Sequence, residues 1–288
     1  MSQKINIRIG DREYEYIKGS SLHLISKDFE SKYPHDIILA RVDGILTELT
    51  EELYSECSVE FITTGTSEGN DAYKRSACML LMKAFDNITG KSRENKILVR
   101  YYLDKGYYCE ITGMEKPAKK FLGSLKNEMK KLVSDKLLFV RRTMSAADAM
   151  ELYSDQKMDD KVRLLWYRRS SQVNLYMLED YADYFYGFMA PDTSFIKYFE
   201  IYQHGDGFVL QVPDYTDPEE TGIFAPPEKL FHVLHQSSKW YDLMGVNNIP
   251  DLNQVIARGE FTRLMMVQEA LQDKDIQKMQ HEISRLKR

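Results

Sequence analysis

His232 and His235 stand three residues apart in "LFHVLHQ", a spacing that can set two imidazoles on one helix face and hold zinc when cysteine or carboxylate completes the set. The stretch offers neither nearby, so the pair reads as chance placement. His204 and Asp206 in "QHGDGF" could serve as a base with its acid partner, although a turn hydrogen bond is the commoner use of such residues. Cys57, Cys78 and Cys109 lie far apart and form no C-x-x-C pair, which argues against a disulfide framework or a zinc knuckle and for reduced, half-buried thiols. The chain contains no G-x-S-x-G elbow and no G-x-x-x-x-G-K-[ST] loop. It therefore carries no phosphate-cradling loop of its own.

One further stretch has a spacing suited to chemistry. In "YKRSACMLLMKAF", Tyr73 to Phe85, residues four apart share one helix face and could share one ion or one water. That face presents Arg75 and Met79, while Ala77, Leu80, Leu81, Ala84 and Phe85 form an apolar stripe at helical spacing.

The surrounding pattern predicts the elements that would position these residues. "INIRIG" alternates as a half-buried strand and returns through Gly10-Asp11 as a hairpin. Ser20-Ser21 offers an N-cap to a short helix with Leu22, Leu24, Ile25 and Phe29 on one face. "DIILARVDGILTEL" is a second hairpin turning at Asp43-Gly44, and "CSVEFI" is a further strand. Thr63 to Asn70, small and polar, reads as a linker. "ILVRYYL" and "GYYCEI" form a hairpin around Asp104-Lys105-Gly106, and residues 118 to 133 form an amphipathic helix. Its outer face carries Lys119, Lys120, Lys126, Lys130 and Lys131, with Arg141-Arg142 beyond; this reads as a solvated face, with RNA-backbone contact as the functional alternative. A short helix from Ser145, strand-like "KVRLLWY", then "VNLYML", "FIKYFEIY" and "GFVLQV" predict a substantial antiparallel sheet. After "APPEKL" the pattern is helical, with breaks near Gly245-Val246 and Pro250.

With 288 residues, 43% of them hydrophobic and 29% charged, the chain has material for two or three domains. A formal net charge of -5 excludes coating of nucleic acid by bulk charge and leaves only local basic faces for that purpose. No run approaches the ~18 apolar residues of a membrane span, so no membrane partner and a cytoplasmic location are expected.

The order of two hairpins around one helix, with "ARVDGILTEL" as its most specific part, resembles the TGS domain, a ubiquitin-like β-grasp, over about residues 3 to 63. The linker and helix that follow resemble the editing domain of threonyl-tRNA synthetase, which shares its fold with alanyl-tRNA synthetase relatives. That family carries an H-x-x-x-H helix and a later C-x-x-x-H pair. On this pattern Arg75 and Met79 occupy the two histidine positions, with Ser76, Leu80 and Leu81 retained; in "FYGFMAP", Phe185 and Met189 occupy the cysteine and histidine positions, with Gly187 and Pro191 retained. "LDKGYYCEI" matches a strand turn of the family through Asp104, Gly106, Tyr107 and Tyr108. The replacements cannot bind zinc or activate water as imidazole and thiolate do. The resemblance thus implies no catalytic residue and no metal here. The altered cleft reads as filled core, or as a remodelled pocket in which Arg75 meets an anionic ligand and Tyr107, Tyr184 or Tyr186 stacks on a base.

The TGS-like and editing-like domains followed by the helical end, "YDLMGVNNIPDLNQVIARGEFTRLMMVQEAL", resemble in domain order, over essentially all 288 residues, the upstream half of bacterial uridine kinase-like proteins of the phosphoribulokinase and uridine kinase type, most specifically in the altered editing helix and the connector "EALQDKDIQKMQHEI". The fold expected is therefore α+β: a TGS β-grasp (1–63), an editing-like domain without its metal ligands (64–225) and a helical connector (226–288). The function implied is that of a non-catalytic regulatory or ligand-binding module of a nucleoside kinase. Its kinase domain would lie downstream in cis, with ATP and Mg²⁺ bound only there and no cofactor in this chain. The ligand would be a nucleoside, nucleotide or RNA, held by Arg75, Met79, Tyr107, Tyr184, Phe185, Tyr186 and Met189. The alternative is a synthetase-like protein that binds or deacylates tRNA, for which His204 with Asp206 would have to supply the chemistry. A third reading is an assembly surface.

Overall fold

The alternating Ile5, Ile7 and Ile9 do form one buried edge of a strand, β1 (Lys4–Ile9), with Lys4, Asn6 and Arg8 outward. The computed structural model describes residues 3–90 and 94–286. Strand β1 pairs antiparallel with β2 (Arg12–Ile17) across the Gly10-Asp11 turn. A minor strand β3 (Ser20–Ser21) leads into α1 (Leu22–Lys27), whose N-cap Ser21 accepts the Leu24 amide. Next come β4 (Ile37–Val42), β5 (Ile45–Glu48), the short β6 (Glu52–Leu53) beside β3, and β7 (Cys57–Thr63). The β4–β5 turn uses Asp43 and Gly44 at φ 50° and 83°. The first sheet has the order β2-β1-β7-β4-β5, with β1 and β7 parallel. Leu22, Ile25 and Phe29 pack with Ile7, Leu49 and Phe61 in its core.

The predicted linker at 63–70 is not one. Helix α2 (Ser67–Ile88) begins there, N-capped by Thr66, and Asn70 is already buried. Gly69 makes the direct turn feasible: a Cβ there would lie 2.1 Å from the Thr63 carbonyl oxygen. Strands β8 (Ile97–Leu103) and β9 (Gly106–Ile111) follow as a hairpin, and α3 (Lys119–Ser134) buries Leu122, Leu125, Met129 and Leu132. Strands β10 (Val140–Ser145), β11 (Gln172–Leu178) and β12 (Tyr181–Asp183) form a three-stranded sheet.

A 3₁₀ turn (Thr193–Phe195) precedes β13 (Glu200–His204) and β14 (Gly207–Gln211), which join β9 and β8 in a sheet of order β13-β14-β9-β8. The expected strand "FIKYFEIY" is therefore strand only in its second half. The single large antiparallel sheet is in fact divided between these two.

The chain divides into two compact units, residues 1–144 with 174–225, and residues 145–173 with 226–288. The second is helical: α4 (Ala146–Asp155), α5 (Asp159–Trp166), α6 (Glu228–Met244), α7 (Ile249–Ala257) and α8 (Phe261–Leu286). Here "KVRLLWY" is helix rather than strand, because Asp159 and Asp160 favour a helix N-terminus and only Leu165 of the run is buried. Gly245 caps α6 in the left-handed region, and Asn248 caps α7 ahead of Pro250. The whole is mixed α+β with several sheets. Among the described residues no helix is long and apolar enough to cross a membrane.

Candidate functional site

Helix α2 carries Arg75, Ser76 and Met79, and the segment 184–190 after β12 carries Tyr184, Phe185, Tyr186 and Met189. The fold brings these two stretches together. The Arg75 Nε donates to the Phe188 carbonyl at 2.9 Å, and the Ala190 amide donates to the Ser76 hydroxyl at 2.9 Å. Ser76 itself donates to the Ala72 carbonyl at 2.8 Å. Its oxygen is therefore spent on structure and is no nucleophile.

Met79 and Met189 are wholly buried, at 0% and 1% exposure, and pack as core. Tyr184 and Phe185 are half-buried, whereas Tyr186 is 89% exposed. Tyr107 in β9 lies half-buried, with its ring edge-on to Tyr102 at 5.2 Å. Burial raises its hydroxyl pKa above the phenolic range, opposed by the nearby Arg75 guanidinium. Arg75 thus stands between the 184–190 segment and Tyr107, with its own pKa lowered by desolvation. Among the described residues its terminal nitrogens make no hydrogen bond. They remain available to a ligand.

Gly187 is what lets the segment approach. It sits at φ +118°, and a Cβ there would meet the Arg75 Cζ at 2.8 Å. Either fact alone favours glycine.

The sequence reading missed Glu48 and Tyr176. Glu48 projects from β5 and is 6% exposed; its Oε1 accepts the Met189 amide at 3.1 Å and lies 2.5 Å from the Tyr176 hydroxyl, which also reaches the Gly187 carbonyl at 2.9 Å. Burial pushes the Glu48 carboxyl up, against the bonds from Tyr176 and Met189 and the charge of Arg141. One signal was available. In "ILTEL" Glu48 shares strand parity with Leu46, an acid on an apolar face.

The donor set does not fit a metal ion. Arg75, Met79, Phe185 and Met189, the four positions the resemblance aligns with ligands, supply no imidazole, thiolate or carboxylate, and Arg75 would bring a positive charge against any cation. Burial pushes the Cys78 thiol up to about 12, so it is no thiolate at neutral pH. Among the described residues no group of three His, Cys, Asp or Glu could hold a metal. The other candidates stand apart from this cleft. The His204 ring meets Tyr108 and Phe224 edge-on at 6.4 and 5.8 Å, and His235 stacks on Phe231 at 5.3 Å. On α3, Lys126 pairs with Glu200 and Lys131 approaches Glu128 at 3.8 Å, so part of the basic face is neutralised.

No family model matches the chain. Curated relatives do. A threonine–tRNA ligase of Desulfatibacillum aliphaticivorans is 25% identical over 173 residues, 60% of this chain and 26% of that protein. One from Oceanobacillus iheyensis is 27% identical over 190 residues, 66% and 29% respectively. One from Thermotoga maritima is 25% identical over 200 residues, 69% and 30%. The chain spans at most about three-tenths of the length of these relatives. They overturn the uridine kinase resemblance and, with it, the regulatory module of a nucleoside kinase and the downstream kinase domain. That resemblance rested on the domain order, the altered editing helix and a charged, amphipathic helical tail, and a tail of that kind is a pattern many unrelated connectors share. The similarity that holds is to threonine–tRNA ligases, and the relatives place this chain beside part of such a ligase rather than beside a kinase.

Proposed function

We propose that this chain is a threonyl-tRNA synthetase-like RNA-binding protein, whose cleft between α2, β9 and the 184–190 segment holds the acceptor end of tRNA without hydrolysing an ester there. The observation that carries the reading is Arg75: a half-buried guanidinium, fixed at Nε by the Phe188 carbonyl, whose terminal nitrogens make no hydrogen bond among the described residues. A guanidinium anchored in this way offers paired donors to phosphate at little further entropic cost. Tyr107 alongside, and Tyr184 and Tyr186 on the adjoining segment, supply π-faces on which unpaired bases can stack. We read residues 3–63 as a TGS-type β-grasp, supported by the β2-β1-β7-β4-β5 order with parallel central strands. We read residues 64–225 as the editing-like domain, interrupted at 145–173 by two helices that cluster with the helical connector 226–288.

Catalysis by the editing chemistry is disfavoured by the residues themselves. No imidazole or thiolate replaces the four ligands, Ser76 is engaged at both ends, and the Cys78 thiol is protonated.

Fluorescence anisotropy with labelled tRNA tests the binding. Arg75→Ala should weaken it by about tenfold or more, since a charge-assisted hydrogen bond contributes roughly 1.5–3 kcal/mol, while the circular dichroism spectrum is unchanged. Equal affinity for wild type and Arg75→Ala would remove the cleft from the function. Release of the amino acid from a mischarged tRNA by purified protein would overturn the non-hydrolytic reading instead.

A further inference from the structure

The Tyr176 hydroxyl has one proton and two oxygen neighbours that ordinarily only accept. It lies 2.5 Å from Glu48 Oε1 and 2.9 Å from the Gly187 carbonyl oxygen. The same Glu48 oxygen also receives the Met189 amide at 3.1 Å. If Glu48 is a carboxylate, Tyr176 can satisfy only one of its two neighbours. The other contact then sets two lone-pair-bearing oxygens against each other in a site from which water is largely excluded.

A neutral carboxylic acid resolves the count. Glu48 Oε1–H donates to the Tyr176 oxygen, Tyr176 donates onward to the Gly187 carbonyl, and Oε1 still accepts from the Met189 amide. All three contacts then have a proton between their heavy atoms.

We infer that Glu48 is held as the neutral acid at physiological pH, and that this proton makes it the positioning residue for the 184–190 segment and, through Gly187, for Arg75. Ionisation would reverse the Tyr176 hydroxyl toward Glu48 and free the Gly187 carbonyl. Gly187 in turn packs directly on the Arg75 guanidinium, 2.8 Å from a virtual Cβ to Cζ. The link from carboxyl to guanidinium therefore runs through two hydrogen bonds and one steric contact.

The groups facing Glu48 come from every side. Tyr176 reaches it from β11, Arg141 acts from β10, the Met189 amide from the loop, and Glu51 from its own chain segment. Arg75 approaches from α2. Arg141 favours the ionised form, while Glu51 and the loss of water oppose it. Arg141 is exposed, with its guanidinium carbon 5.5 Å from the Phe188 ring, so solvent screens its charge.

The test is a pH titration by NMR of the whole protein labelled with ¹³C at glutamate side-chain carboxyls, with ¹⁵N amides recorded in parallel. One carboxyl should remain largely protonated at pH 7, which places its midpoint about three units above the ordinary glutamate value, and should vanish in Glu48→Gln. The amides of Gly187, Phe188 and Met189 should move with the same midpoint in wild type and stay still in Glu48→Gln. A Glu48 carboxyl that is ionised at pH 7, whether it titrates with the other glutamates or only modestly above them, overturns the inference. So does a raised midpoint that the 187–189 amides ignore, because burial alone would produce that. Should Glu48→Gln fail to fold, Tyr176→Phe serves: it removes the onward donor, and the Gly187 and Phe188 amides should lose their titration while the Glu48 carboxyl and the Met189 amide bonded to it still titrate. None of these readouts requires tRNA, so the inference can fail or stand independently of the proposed ligand.

Discussion

Arg75 shows how one side chain can be both a strut and a candidate ligand. Its Nε bond to the Phe188 carbonyl needs the close approach of Gly187, where φ is +118° and no Cβ fits. Gly187→Ala should therefore destabilise the protein by about 1–3 kcal/mol, combining strain at positive φ with displacement of the guanidinium. Urea denaturation would measure this, and tRNA affinity should fall in parallel if the cleft is the binding site. Lys83 poses a different residue-scale question. It is 1% exposed and pairs with Glu179 at 3.1 Å and Asp180 at 2.5 Å, yet both acids are about half exposed. Removing the ammonium leaves carboxylates that water can solvate, so the ion pair itself is worth little. Lys83→Met, which keeps the buried stem, should cost less than about 1 kcal/mol, whereas Lys83→Ala should cost about 2–4 kcal/mol by leaving a cavity. Equal losses in thermal melts of the two variants would show that the charge dominates.

Helix α2 is the element that organises the candidate site. One side fills the core through Ala72, Ala77, Leu80, Leu81 and Ala84, and the positions at Arg75, Ser76 and Met79 meet the 184–190 segment. The Ser76 hydroxyl is the joint: it satisfies the Ala190 amide and is itself 0% exposed. Ser76→Ala would leave that amide buried and unpaired, and should cost about 1–3 kcal/mol by chemical denaturation. Ser76→Gly should cost more, because glycine adds roughly 1 kcal/mol in a helix interior. Strand β5 adds a pH dependence through Glu48. Because Glu48 has a raised folded pKa, native protein binds the proton more tightly than unfolded chain. Its stabilising contribution is complete below the ordinary glutamate range and declines as pH rises through the folded value. Stability measured across that window should slope downward in wild type relative to Glu48→Gln; a flat difference would mean that Glu48 gains nothing from its proton.

At the scale of the molecule, the helices α4 and α5 interrupt the first unit between Met144 and Asn174. The break is bridged within that unit, since the Thr143 hydroxyl donates to the Asn174 side-chain oxygen at 2.7 Å. Replacing 145–173 by a short glycine-serine turn, in a chain ending at Ala225, should leave a cooperatively melting α+β protein. A broad, non-cooperative melt would show that the first unit needs the second to fold. The net charge of -5 makes any RNA contact local. Binding to tRNA should accordingly weaken with salt at a slope set by a few phosphates, about 0.7–0.9 per contact. Neutralising Arg75 should lower that slope by about one such contact.

The strands and helices with strong periodicity were legible in the amino-acid sequence because burial on one face imposes a period of two or about 3.6. β1, the Asp43-Gly44 hairpin, α3 and the capped α6–α7 break all follow from local chemistry. "KVRLLWY" misled because a short apolar run is compatible with either structure, and the first-turn acids Asp159 and Asp160 that favour a helix precede it. The kinase assignment misled because tail composition carries little information about what a chain does. Only tertiary structure could bring Glu48 beneath a loop 141 residues later in the sequence, or leave Met79 and Met189 as core while Arg75 keeps free donors. These outcomes depend on which surfaces meet across long sequence separations. Local periodicity selects the face a residue occupies, whereas its partners are decided by packing of the whole.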